Sequence, residues 1–119
     1  AVSDMPRKIL VPLYGQEVAP RFDLASEAVT VTLSADARER EDKFVVLPQV
    51  SAEKLCHMIL TEGVDTVICG GIDEEYYQYL TWKRIAVYDA VIGPWQKAVE
   101  RLLSGELQAG EIITASPEA

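Results

Sequence analysis

The apolar positions of the chain fall into short blocks with two different rhythms. Residues 8–14 form an apolar run, Ile9 to Leu13 flanked by Lys8 and Tyr14, which stops at Gly15 and predicts a buried first strand. Pro12 lies inside it, although proline cannot donate to a sheet ladder. Residues 15–23 read as a loop. Between Glu27 and Leu33, valines and a leucine at 29, 31 and 33 alternate with threonines, the period of a strand covered on one face. Lys43 to Leu47 predicts a third strand. The polar stretch Ser34–Asp42 before it is too short for a parallel crossover, so these two strands form an antiparallel hairpin.

Beyond Val50 the period lengthens. Ser51 can cap a helix that runs to Glu62 and stops at Gly63, packing through Leu55, Met58 and Ile59. Asp65–Cys69 predicts a fourth strand, closed by Gly70 and Gly71. Asp73 can cap a second helix through Lys83, and Ile85–Tyr88 is a fifth strand. Gly93 and Pro94 open a third helix whose stripe is Trp95, Ala98, Val99, Leu102 and Leu103. Gly105 ends it. The remainder has few apolar anchors besides Ile112 and Ile113 and is expected to be a loose tail, flexible over residues 108–119.

The order β-β-β-α-β-α-β-α describes an α/β domain with a mostly parallel sheet after an initial hairpin. Right-handed crossovers place helices on both faces. A length of 119 residues suits one domain, assigned to residues 1–107, with 49% hydrophobic and 25% charged residues. Charge narrows the functions. With 11 basic against 19 acidic residues and a net charge of −8, neither a nucleic acid nor an anionic membrane surface is an expected partner. No apolar run approaches the ~20 residues of a membrane helix. The first six residues lack a signal-peptide pattern. Cys56 and Cys69 are isolated thiols that suit a reducing compartment, so the expected location is the cytoplasm.

In open α/β sheets, ligands sit beyond the carboxyl ends of strands where the chain order reverses. With strands one and four as neighbours, that crevice is lined by residues 14–23 and 69–73. Gly70 and Gly71 allow either a close ligand approach or a sharp turn. A phosphate site there is not expected. No glycine-rich phosphate motif is present, and Asp73, Glu74 and Glu75 would repel the anion. His57 is the single histidine and falls opposite its helix's apolar stripe, which leaves no basis for a Ser-His-Asp site or a multi-histidine metal centre. Cys69, at the end of a strand beside two glycines, is either a soft-metal ligand or a small buried hydrophobe. Tyr76, Tyr77, Tyr79 and Trp82 form an aromatic helix, part of which could face a partner protein.

Several segments resemble the dinitrogenase iron–molybdenum cofactor biosynthesis family: Lys8–Pro12 with Gly15, then Val18–Asp23, then Gly63–Ile72, and finally Lys97–Leu107. The resemblance implies a three-layer α/β/α, ribonuclease H-like fold. Its five-stranded mixed sheet has order 3-2-1-4-5 with strand two antiparallel. It also implies a non-enzymatic carrier or binding module for a molybdenum- or iron-containing metal–sulfur cluster, of the kind used in nitrogen fixation. The contacts would come from Tyr14, Gly15, Arg21, Phe22, Asp23, Gly70 and Gly71, with Cys69 as metal ligand. Where the family usually has His-Phe-Gly, this chain has Arg21, Phe22 and Asp23. Arginine is no metal donor, but it can hold an anionic thiometallate by charge and hydrogen bonds. The family's glycine-rich loop before the first helix is here Leu47–Ser51, short and without glycine. The alternative is a diverged interaction or regulatory domain with no cofactor, whose partner is a protein. Hydrolysis of the ribonuclease H type is not expected, because no carboxylates gather at the strand ends to hold magnesium.

Overall fold

A computed structural model describes residues 7–34, 39–47 and 51–113. The start of the chain, part of the hairpin connection (35–38), most of the glycine-free loop (48–50) and the final residues 114–119 lie outside the described residues. The elements are β1 (Lys8–Tyr14), β2 (Glu17–Val18), β3 (Glu27–Leu33), β4 (Arg40–Val46), α1 (Ala52–Thr61), β5 (Thr66–Ile68), α2 (Glu74–Trp82), β6 (Ala86–Tyr88) and α3 (Trp95–Leu103).

The sheet is mixed and has six strands, with the path β4-β3-β1-β5-β6 and β2 attached to β1. β3 runs antiparallel to both neighbours, whereas β1, β5 and β6 pair in parallel. The resemblance implied five strands. The sixth, β2, is only two residues long, and Leu13 and Tyr14 of β1 pair with its Val18 and Glu17 across a tight turn. Gly15 makes that turn at φ +65°, a conformation most side chains avoid. β4 begins at Arg40, three residues before the apolar block at Lys43. It is an edge strand whose first four residues are exposed, so no hydrophobic period marks its start.

Pro12 is accommodated because bonding alternates along β1. Its even-numbered residues face β5, and the β1–β5 pairing stops at Leu10. Beyond that point no donor is needed, and the Pro12 carbonyl accepts from the Ala19 N–H at 2.8 Å.

Alternation also separates two cores. Ile9, Val11, Leu13, Val29 and Val31 face α3, where Trp95, Ala98, Val99 and Leu102 cover them. Leu10, Ala28 and Val67 face the other way, under Leu55 and Ile59 of α1 and Leu80 of α2. The chain is therefore a three-layer α/β/α sandwich. At ~1.5–3 kcal/mol for each fully buried large apolar side chain, these two faces dominate stability. Ser51 caps α1, its hydroxyl accepting from the Lys54 N–H at 3.3 Å. Asp73 precedes α2 without a side-chain cap; its backbone carbonyl takes the N–H groups of Tyr76 and Tyr77 instead. Pro94 sits just before α3, at the cap position and not in the first turn.

The segment after α3 departs from the expected loose tail. Leu107 is buried in the α3-side core. Ile112 pairs with Ile92, and the Ile113 N–H donates to the Ile92 carbonyl at 2.7 Å. Arg101 forms ion pairs with Glu106 and Glu111, which fix the return. The Leu107 and Ile113 side chains, the Ile92–Ile112 bridge and Arg101 thus hold residues 107–113 against the domain. Among the described residues, no helix is long and apolar enough to cross a membrane.

Candidate functional site

β1 and β5 end side by side, so the segments that follow them meet at the carboxyl edge of the sheet, joined there by the loop after β6. These three segments do not leave an open cleft. The Gly71 N–H donates to the Pro20 carbonyl at 2.7 Å, and the Phe22 N–H to the Gly71 carbonyl at 2.8 Å. The Ala90 N–H reaches the Gly70 carbonyl at 2.9 Å, and the Val18 N–H reaches the Gly93 carbonyl at 2.9 Å. The strand ladder is in effect extended through the loops, with Arg21 and Gly71 as a parallel bridge.

This closure explains the two glycines. A Cβ on Gly70 would stand 2.3 Å from the Ala19 carbonyl oxygen and 2.5 Å from that of Pro20. Gly70 is therefore a requirement of backbone packing. Gly71 is less constrained, since its Cβ would meet the Pro20 oxygen at 3.4 Å. Ala90 sits at φ +58°, in the left-handed region that alanine rarely visits; its N–H bond to Gly70 lies in the same network.

The residues expected at the site divide into two groups. Phe22 and Cys69 are core residues. Phe22 is buried with its ring 6.5 Å from that of Tyr76. Cys69 is 0% exposed among Leu10, Val67 and Leu80. Burial, with a smaller contribution from Asp89, pushes its thiol up to about 12. The sulfur is thus a neutral, enclosed thiol, whereas metal ligation needs an accessible thiolate.

Tyr14, Gly15, Arg21 and Asp23 stand at the surface or its margin. Arg21 and Asp23 form a two-point ion pair, Nε to Oδ1 and an Nη to Oδ2, each at 3.0 Å. The Arg21 side chain remains 51% exposed. It borders a groove of about 250 Å³ whose walls are Leu13, Tyr14, Pro20, Leu24 and Ala25. Leu24 and Ser26 line this groove and were not anticipated. Leu24 ends a short 3-10 turn, Phe22–Leu24, and Ser26 follows it; so short a turn leaves no periodic signal in the sequence.

A metal–sulfur cluster ligated by this chain does not fit these residues. Among the described residues, no three His, Cys, Asp or Glu side chains are gathered to hold a metal ion. The thiol at the crevice is enclosed, and the exposed cation is an arginine.

No protein-family profile matches the chain, and no curated protein does. Solved structures match in fold. MJ0327 of Methanocaldococcus jannaschii, provisionally described as a dinitrogenase, superimposes with a TM-score of 0.70 at 21% identity, over 95% of this chain and 99% of its own. The apo form of the orange protein from Desulfovibrio gigas gives 0.69 at 22% identity, over 99% and 100%. TM1290 of Thermotoga, provisionally described as a NifB protein, gives 0.65 at 17% identity, over 92% and 99%. Likeness at these identities is likeness of fold, and it extends over nearly the whole domain.

Proposed function

We propose that this chain is a non-enzymatic binding module that takes an anionic, soft-bodied cargo of the thiometallate type in the Tyr14–Arg21–Leu24 groove, without ligating the metal. The observation that carries this reading is the half-exposed Arg21 guanidinium, held in place by Asp23 at the rim of an apolar groove. A guanidinium has five N–H donors. Asp23 engages two of them, and the others stay available for an anion. The fold neighbours described as dinitrogenase-related support a carrier role.

Titration with tetrathiomolybdate, followed by its visible absorbance and by calorimetry, tests the proposal. The expected result is one saturable site that Arg21→Ala abolishes and Cys69→Ala leaves unchanged. Absence of saturable binding, or loss on Cys69→Ala with retention on Arg21→Ala, overturns it.

A second reading, a protein-interaction domain without cargo, is favoured by one observation. Trp82 of α2 is 75% exposed and Tyr79 lies exposed on the same helix.

A further inference from the structure

The larger opening lies elsewhere, on the outer face of the α1–α2 layer. A groove of about 490 Å³ runs between these helices, within the usual size range of small-ligand sites. Its floor is Cys56 and Leu60. Tyr76 and Tyr79 of α2 line it, with Glu53 on one helix and Glu75 on the other. His57 also borders it, but among the described residues no lysine or arginine does.

Three features of this groove favour a cation. First, each helix contributes an exposed carboxylate, so a positive group between them would meet negative charge from both sides. The Tyr76 hydroxyl registers that field. It is held above its ordinary value by desolvation first, then by Glu75, Glu53, Cys56 and Asp73. Second, the aromatic ridge of α2 already holds an ammonium group. Lys83 Nζ lies 5.0 Å from the centre of the Trp82 ring and 5.7 Å from that of Tyr79, within cation–π range. Tyr79 belongs to both this pair and the groove, so one ring of the groove wall is already a cation partner. Third, the net charge of −8 adds a long-range field that draws basic partners.

We infer that the α1–α2 groove docks a basic side chain, with an adjacent apolar residue, from a segment of a partner protein. An arginine could bridge Glu53 and Glu75 while its plane rests on a tyrosine ring. The neighbouring apolar residue would cover Leu60 and Cys56. This inference gives the interaction reading a site and a chemistry, and it is independent of cargo binding at Arg21.

The test is a titration of the intact protein with acetyl-Leu-Arg-amide, followed by amide chemical shifts. Acetyl-Leu-Glu-amide and free arginine serve as comparison probes. The arginine dipeptide should give saturable shifts confined to α1 and α2, the glutamate dipeptide none, and free arginine weaker shifts. Glu53→Gln combined with Glu75→Gln should weaken binding by roughly tenfold, as expected for removal of partners from a charged contact. Arg21→Ala should leave it unchanged, which separates this site from the cargo groove. Equal binding of both dipeptides, no saturable shift with the arginine dipeptide, or full retention in the double glutamine variant would overturn the inference. Since both glutamates are exposed, the double variant is expected to fold, and its amide spectrum shows whether it does.

Discussion

Two regions of this domain, the strand-end crevice and the groove between α1 and α2, are closed and open for opposite reasons. At the carboxyl ends of β1 and β5 the main chain itself does the packing. Gly70 admits the Ala19 and Pro20 carbonyls to distances that a Cβ would forbid, and the loops are laced together by N–H to carbonyl bonds. Between α1 and α2 the opening is lined by side chains, with tyrosines and glutamates along it. The topological rule that places ligands beyond strand ends locates a crevice, but the rule says nothing about whether backbone bonding has filled it. What remains for a ligand at that end is the shallow margin beside Arg21.

The contrast predicts unequal responses to substitution. The largest is at Phe22, a buried core aromatic whose N–H bonds the Gly71 carbonyl at the crevice. Phe22→Ala should lower unfolding free energy by ~3–5 kcal/mol, as for other buried aromatic truncations, whereas Tyr79→Ala, on the groove, should lower it by less than ~1 kcal/mol. Urea denaturation of both variants measures the difference. Equal losses would mean that the crevice and the groove are built alike.

Next comes the glycine pair. Gly70→Ala must displace backbone atoms, so a loss of ~1–3 kcal/mol or more is expected. At Gly71 the nearest contact is 3.4 Å from the added carbon, and the loss should be under ~1 kcal/mol. Identical midpoints in the two variants would show that loop-to-loop contact does not hold the crevice shut.

The thiols give a pH-dependent test of the same closure. Cys69 and Cys56 are raised to about 12 and about 11 by burial, with smaller contributions from Asp89 and Glu53 respectively. In the unfolded chain, thiols ionise near the ordinary value of ~8.5. Above that pH the unfolded state has lost protons that the folded state keeps. Stability is therefore unaffected below that value and declines as pH rises toward the folded values. Each thiol should remove about 1–2 kcal/mol by pH 10, and Cys69→Ala should flatten the decline. An unchanged slope in Cys69→Ala would show that solvent reaches the crevice thiol.

How much of this was legible follows from what carried the signal. Ile9–Leu13, Val29–Leu33 and the helix stripes announce the layers, because burial on one face imposes a period. β2, the turn at Phe22–Leu24 and the start of β4 are short or exposed, so burial leaves no period to detect. At the candidate site, residue type was visible but environment was not. Nothing in the sequence distinguishes a glycine that receives a ligand from one that receives Pro20, or an open thiol at Cys69 from an enclosed one. Leu107 and Ile113 were too sparse to suggest that the tail returns to the core. The α1–α2 groove depends on how two helices sit on the sheet, which only the assembled fold reveals.

The smallest effect on stability, at Arg21 and Asp23, is the most informative about function. The pair is bidentate but half-exposed, and exposed ion pairs contribute ~0–1 kcal/mol and weaken with salt. Arg21→Ala and Asp23→Asn should each leave the urea midpoint almost unmoved. Their effects on cargo should have opposite signs. Removing Arg21 removes the positive charge, so tetrathiomolybdate binding should disappear. Removing the Asp23 charge frees two more guanidinium donors and lifts a local repulsion, so binding should tighten several-fold, most clearly at low salt. Weaker binding in Asp23→Asn would mean that Asp23 orients Arg21 more than it competes for it. A large fall in stability in either variant would show that the pair belongs to the sealed crevice and not to its open margin.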